Sequence, residues 1–179
     1  MKARNIVFAV SIFIIVVLQT TVLHYIKIFG ITPNIMVVVV IGIALLFGNT
    51  QGAIAGFILG FCQDITFGKM LGFYALAGLY LGLVVGIVNK RLYRENILVI
   101  IFFTFISTIV YELSVYLVHE WGMHLFSPEN SNNLDILYAV RNITLPEAIY
   151  NSIISVPIYA LMIRINDRFE NANKSIRKY

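Results

Sequence analysis

Six long apolar stretches dominate this sequence and constrain its fold more than any other feature. They cover approximately residues 5–23, 34–48, 51–67, 71–88, 97–118 and 146–165. A helix needs about 20 mostly apolar residues to cross a hydrocarbon core about 30 Å thick. Charged residues make up only 12% of the chain, against about 25% in soluble domains. The sequence therefore predicts an all-α integral membrane protein, with a single domain over residues 1–179.

Each stretch is interpreted as a separate span. One helix over residues 34–67 would be about 50 Å long, which is far more than a bilayer requires. The first stretch follows Lys2 and Arg4 and so resembles a signal peptide. Its apolar run is long for that purpose, and no small-residue cleavage site follows it, so we interpret it as a retained span.

Basic residues set the predicted topology. They form three clusters: Lys2/Arg4, Lys90/Arg91/Arg94 and Arg164/Arg168/Lys174/Arg177/Lys178. Basic residues near span ends favour the cytoplasmic side. Six spans place all three clusters inside, which accounts for ten of the 13 basic residues. We therefore predict cytoplasmic termini, an outer loop over residues 119–145 and a cytoplasmic tail over residues 166–179.

The sequence offers no pattern typical of a cofactor, a metal or an active site. The single cysteine, Cys62, excludes a disulfide framework and a cysteine-based metal centre. His119 and His124 are five residues apart and so do not share one helix face, as a zinc-binding pair four residues apart would. A phosphate-binding loop and a nucleophile motif are also missing from the sequence. We expect a protein that is not an enzyme, and we interpret its net charge of +4 as a topology signal rather than as nucleic-acid binding.

Small residues recur at every fourth position of the third stretch and beyond it. This glycine ladder consists of Gly52, Gly56, Gly60, Asp64, Gly68 and Gly72, and a second series follows at Gly78, Gly82 and Gly86. Residues four apart share a helix face, and small residues let another helix approach closely. Two interpretations stay open: packing of the third and fourth helices within this chain, or a face for a partner helix.

Polar residues inside the spans are the other candidates. An acid within a span is costly, so Asp64 needs a partner, for which the candidates are Lys69, Arg141 or the backbone amides of the following hairpin. Its role is either a structural cap or a functional contact. Glu112 is a second acid within a span, and Asn151 is expected to hydrogen-bond between helices. Thr144 and Glu147 are spaced as a capping box that opens the sixth helix.

Taken in order, several motifs resemble one known family. Gln19-Thr20-Thr21 closes the first span, and Gly30-Ile31-Thr32-Pro33-Asn34 opens the second. The glycine ladder follows, and later Pro146-Glu147-x-x-Tyr150-Asn151 with Pro157. Together they resemble the rod shape-determining protein MreD over nearly the whole chain. The family often has an acid where this chain has Asn34.

The resemblance implies a subunit of the cell-elongation machinery in the bacterial inner membrane. Such proteins work with the membrane-anchored periplasmic protein MreC, and through it with the MreB filament and peptidoglycan synthases. The implied site residues are non-catalytic: Gly52, Gly56, Gly60 and Asp64 on a packing or partner face, and Asn151 in the sixth span. The family is also similar in architecture to the S-components of energy-coupling-factor transporters. The alternative function is therefore a membrane subunit that binds a small ligand or a lipid.

Overall fold

The computed structural model describes residues 14–22, 27, 30–67, 72–89, 97–126 and 136–176. These residues form helices and turns, and the described part of the chain contains no β-strand. The all-α prediction is therefore confirmed. The first helix, α1, is described over residues 14–22 and ends in a π-helical turn, Leu18–Val22.

Three helices follow in close succession: α2 (Ile35–Phe47), α3 (Asn49–Phe67) and α4 (Phe73–Asn89). Their bounds lie close to the apolar stretches 34–48, 51–67 and 71–88 of the sequence. Only Gly48, with a φ of +93°, separates α2 from α3. Glycine adopts such a positive φ without steric cost. The chain therefore reverses direction within one residue, and α2 and α3 become immediate neighbours.

The fifth helix, α5 (Ile97–Phe126), extends well past the apolar stretch 97–118. After the undescribed residues 127–135, a helix resumes as α6 (Ile136–Ala139), a π-helical turn (Val140–Thr144) and α7 (Leu145–Ile176). Both ends of the predicted outer loop, residues 119–145, are therefore helical, and its place outside the membrane stays a prediction. Most of the predicted tail, 166–179, is likewise helical. Apolarity marks the part of a helix that suits lipid, but a helix continues in water while its residues favour it.

The predicted capping box at Thr144 and Glu147 is also corrected. Helical backbone begins at Ile136 and runs through this segment, and the Leu145 N–H donates to the Val140 carbonyl across the π-helical turn. Pro146 has no N–H to donate, and it lies directly after this irregular turn. Glu147 is thus an interior helical residue whose side chain is buried.

Helix α2 occupies the centre of the bundle. Ten of its 13 residues are buried, and it contacts α3, α4, α5 and α7. Its sequence is apolar on every side, as expected of a helix surrounded by other helices. At 1.5 Å per residue α2 is only about 20 Å long, which is shorter than a hydrocarbon core.

The outer surface of the bundle is strongly apolar. Leu98 of α5 is 71% exposed, Leu137 of α6 is 77% exposed and Ile65 of α3 is 67% exposed. Within the described part of the chain, two segments are long and apolar enough to cross a membrane, Ile97–Val118 and Ile136–Arg168. The total of six spans stays a prediction.

Candidate functional site

The glycine ladder lies in the contact between α3 and α4. The two helices run antiparallel, so that the pairs that meet across the contact are Gly52 with Gly82, Gly56 with Gly78, and Gly60 with Tyr74 and Ala75. These are contacts between backbones. A Cβ added at Gly52 would lie 2.9 Å from the Gly82 carbonyl oxygen, and one added at Gly56 would be closer still to the Gly78 carbonyl.

This face of α3 is therefore covered by α4 of the same chain. Gly86 extends the contact at the other end, where an added Cβ would meet the backbone of Asn49. The helices come this close because neither of them places a side chain between the two backbones. Any substitution by a larger residue has to move a whole helix rather than a flexible side chain.

Gly72, the last glycine of the ladder, does not take part in this contact. Gly72 has a φ of +93° at the turn before α4, and an added Cβ there would meet nothing within 4 Å. Gly72 serves as the N-cap of α4, because its carbonyl accepts from the Leu76 N–H at 3.0 Å. Gly68 and Lys69 lie outside the described residues.

Asp64 occupies the next ladder position after Gly60, and it is 1% exposed. One carboxylate oxygen accepts from the Tyr74 N–H at 3.0 Å, and the other accepts from the Ala75 N–H at 3.0 Å. The first amides of a helix lack partners within the helix. The N-cap of α4 is a glycine with no side chain to offer, so a carboxylate from α3 supplies the cap instead. Its negative charge also lies at the positive end of the α4 dipole.

Of the three candidate partners for Asp64, the structure places the hairpin amides against it. Arg141, the candidate from the far end of the chain, is exposed on the π-helical turn. The carboxylate thus joins α3 to α4 directly beyond the last glycine contact.

Asn151 is buried at the junction of three helices. Its Oδ1 accepts from the Asn34 backbone N–H at 2.8 Å, and its Nδ2 donates to Thr108 Oγ1 at 3.3 Å. A residue of α7 therefore connects the start of α2 with the middle of α5. This is the interhelical role that asparagine takes within membranes.

The N-terminus of α2 receives further side-chain partners. Gln19 of α1 accepts from the Ile35 N–H at 2.8 Å and donates to the Pro33 carbonyl at 3.1 Å. The Asn34 side chain accepts from the Val37 N–H at 3.3 Å. Asn151, Gln19 and Asn34 together satisfy amides at the start of α2, which would otherwise be unpaired in an apolar environment.

Two acids complete this region. Hydrogen bonds connect the side chain of Glu112 with those of Glu147 and Asn34, and connect Glu147 with Asn151. We refer to Gln19, Asn34, Thr108, Glu112, Glu147 and Asn151 as the polar cluster. In the sequence Glu112, Glu147 and Asn151 are separate polar residues, and nothing in their spacing predicts that they lie together. One sequence signal does point to such a cluster, because several spans each contain a polar residue. Polar residues rarely remain unpaired in lipid.

Hydroxyl groups line the contact of α5 with α7 at the positions of α7 that follow Asn151. Ser152 Oγ donates to the Ala148 carbonyl at 2.7 Å, and Ser155 Oγ donates to the Ser152 carbonyl at 2.7 Å. Both serines bond within their own helix, and Ser152 Oγ also donates to the Ile101 carbonyl of α5 at 3.4 Å. Thr104 of α5 is also buried, and its hydroxyl oxygen has no hydrogen-bond partner among the described residues.

A small void lies where Gly56, Gly60, Gln63 and Tyr111 meet. It has room for about one water molecule. The Tyr111 hydroxyl donates to the Gln63 side-chain oxygen at 3.3 Å beside it. The described residues contain no group of three or more His, Cys, Asp or Glu side chains arranged to bind a metal. The side chains of His119 and His124 lie outside the described part.

A comparison with known protein families identifies the family of this chain. The family model of the rod shape-determining protein MreD matches residues 2–166. The chain belongs to the MreD family. The match includes every site residue discussed above, and it identifies a membrane protein that determines rod shape. Comparison with curated proteins and with solved structures gives no significant match.

Proposed function

We propose that this protein is a non-enzymatic scaffold subunit of the bacterial cell-elongation complex. In this proposal it binds a MreC-like, membrane-anchored periplasmic protein and through it acts on cell-wall synthases and the MreB filament. It lies in the inner membrane as a multi-pass protein, with lipid covering the exposed apolar faces of α3, α4, α5 and α7. The family match carries the proposal.

The use of the buried polar groups supports a scaffold. Asp64 is engaged by the amides of α4, and Asn151 is engaged by Asn34 and Thr108. These groups hold helices together and leave little bonding capacity for a substrate. A rigid bundle of this kind is suited to presenting a fixed surface to a partner.

The alternative is a subunit that binds a small ligand or a lipid. Under the predicted topology the polar cluster and Asp64 both lie towards the outer side, which is where such a subunit would bind its ligand. Ligand sites, however, occupy cavities of about 300–1,000 Å³. The void at Gly56 and Tyr111 holds about one water molecule, so this alternative has less support.

The test is complementation combined with purification. A rod-shaped bacterium depleted of its own MreD receives tagged wild-type protein, and cell width is measured. The protein is then purified in mild detergent and examined for a bound protein and for a bound small molecule. The scaffold proposal expects restored rods and recovery of the MreC-like partner.

An Ile58→Leu variant serves as the control, because Ile58 is exposed on α3 and its volume is unchanged by the substitution. It should behave as wild type in both measurements. Restored rods with a bound small molecule and no protein partner would contradict the scaffold and favour the ligand-binding subunit.

A further inference from the structure

Two acids from different helices meet inside this bundle. Glu112 of α5 and Glu147 of α7 are joined by a side-chain hydrogen bond. Glu147 is buried and Glu112 is partly buried. Each of them also bonds to an asparagine, Glu112 to Asn34 of α2 and Glu147 to Asn151 of α7.

The chemistry of this contact requires a proton. An ionised carboxylate offers only hydrogen-bond acceptors, so two carboxyl groups bond to each other only when one of them is protonated. Without that proton, two negative charges would face each other in surroundings of low polarity. Such an arrangement is strongly unfavourable.

Among the described residues, the ionisable groups around the pair do not offset a second negative charge. Those whose charge acts on this region are themselves acids: Asp64 from α3, Tyr74 from α4 and Tyr111 from α5. Helix α2 contributes Asn34 at its start, and α1 contributes Gln19, which are both neutral. The described basic side chains nearest to Glu147 in sequence, Arg141 and Arg164, are exposed.

We propose that Glu112 and Glu147 share one proton, and that this proton locks α7 against α2 and α5. Loss of the proton separates the two acids and breaks their bonds to Asn34 and Asn151. The polar cluster is then a pH-sensitive element that loosens as the pH rises. This inference goes beyond the proposed function, and it is testable without any partner protein.

The direction of the effect follows from counting protons. A glutamate in an unfolded chain releases its proton near about pH 4.3. The folded pair keeps one proton that the unfolded chain has lost, so the free energy of unfolding falls as the pH rises above that value.

The experiment measures the thermal unfolding midpoint, Tm, of the purified protein in lipid nanodiscs between about pH 5.5 and pH 8.5. The wild-type Tm should fall across this range by roughly 4 °C or more. The double variant Glu112→Gln/Glu147→Gln keeps a donor and an acceptor at the contact and has no proton to lose, so its Tm should stay constant. An Asp64→Asn variant is the control and should keep the wild-type slope, because its partners are backbone amides. A wild-type Tm that does not change with pH, or a double variant with the wild-type slope, overturns the proposal.

Infrared spectroscopy provides a second measurement that does not depend on the double variant folding. Wild-type protein at neutral pH should show the C=O stretch of a protonated carboxyl group, and this band should vanish as the pH is raised. The band should persist in Asp64→Asn and be missing from Glu147→Gln. A wild-type spectrum without the band overturns the proposal.

Discussion

The α3–α4 contact and the polar cluster hold helices together in opposite ways. In the first, glycines remove every side chain and two backbones touch. In the second, polar side chains fill the space: those of α1 and α7 accept from backbone amides at the start of α2, and Asn151 of α7 also donates to Thr108 of α5. Within lipid the hydrophobic effect does not drive helices together, so packing and hydrogen bonds carry the association. The first region is therefore sensitive to added volume and the second to lost bonding partners.

The largest effect is expected from added volume in the α3–α4 contact. Gly56→Leu places a side chain against the backbone of Gly78, which cannot move without its helix. We expect a loss of at least about 3 kcal/mol in the free energy of unfolding, and little folded protein after solubilisation. Ile58→Leu, on the exposed side of α3, is the matched control and should give normal yield.

The two interpretations of the ladder give different results in this assay. Lost folding supports packing within the chain. Normal yield of Gly56→Leu with a lost partner would instead favour a partner face, and would contradict the contact described here.

An intermediate effect is expected from a lost partner in the polar cluster. Asn151→Leu leaves the Asn34 N–H and the Thr108 hydroxyl without their bonds. A buried group left unpaired costs about 1–3 kcal/mol, so unfolding in detergent should occur at a clearly lower temperature. Asn142→Leu, at an exposed position of the π-helical turn, is the control with the same chemistry. Equal stability of the two variants would mean that the cluster contributes nothing to the fold.

A smaller effect is expected at Asp64. Asp64→Asn keeps one acceptor oxygen for the two amides of α4 and loses the charge at the helix end. Changes of this kind cost about 0.5–1 kcal/mol, so the protein should fold and the cells should remain rods. Asp64→Leu removes both acceptors and should be clearly less stable than Asp64→Asn. Round cells that contain normal amounts of the Asn variant, with the partner lost, would show that Asp64 has a functional contact beyond the cap.

The smallest effect on the fold is expected from substitutions that test which side of the membrane each end of the bundle faces. Single cysteines are placed by Arg91→Cys and Ser131→Cys in a Cys62→Ser background, and intact cells are treated with a membrane-impermeant thiol reagent. We expect labelling at position 131 and none at position 91, because the basic residues favour the cytoplasmic side. The reverse pattern would invert the topology and move both the polar cluster and Asp64 to the inner side.

The parts of the structure that sequence predicts well are those with a local signal. The spacing of Gly52, Gly56 and Gly60 identifies a smooth helix face, and the neighbouring glycine series supplies its match on α4. The pattern alone left the partner of Asp64 open, because the choice depends on where the hairpin places the first amides of α4.

The polar cluster was not predicted, since its central bond joins Asn34 to Asn151 across 117 positions of the chain. Each of its members looks like an isolated polar residue in an apolar span. The ends of α5 and α7 were also missed, because hydropathy measures suitability for lipid rather than the extent of helical backbone. Glu147 illustrates both errors. Its spacing from Thr144 indicated a helix start, whereas the helix had already begun and the side chain bonds inside the bundle.

The long separation between Asn34 and Asn151 has a consequence for biosynthesis. Helices α2, α3 and α4 are consecutive, so their glycine contact can form while the rest of the chain is still being translated. The N–H of Asn34, at the start of α2, has to wait for Asn151 of α7, which follows 117 residues later and takes roughly 6–23 s to reach at ordinary synthesis rates. During that interval the start of α2 has a backbone N–H without its native partner. A nascent chain stopped before α7 would therefore expose this unpaired N–H to the machinery for membrane insertion and quality control.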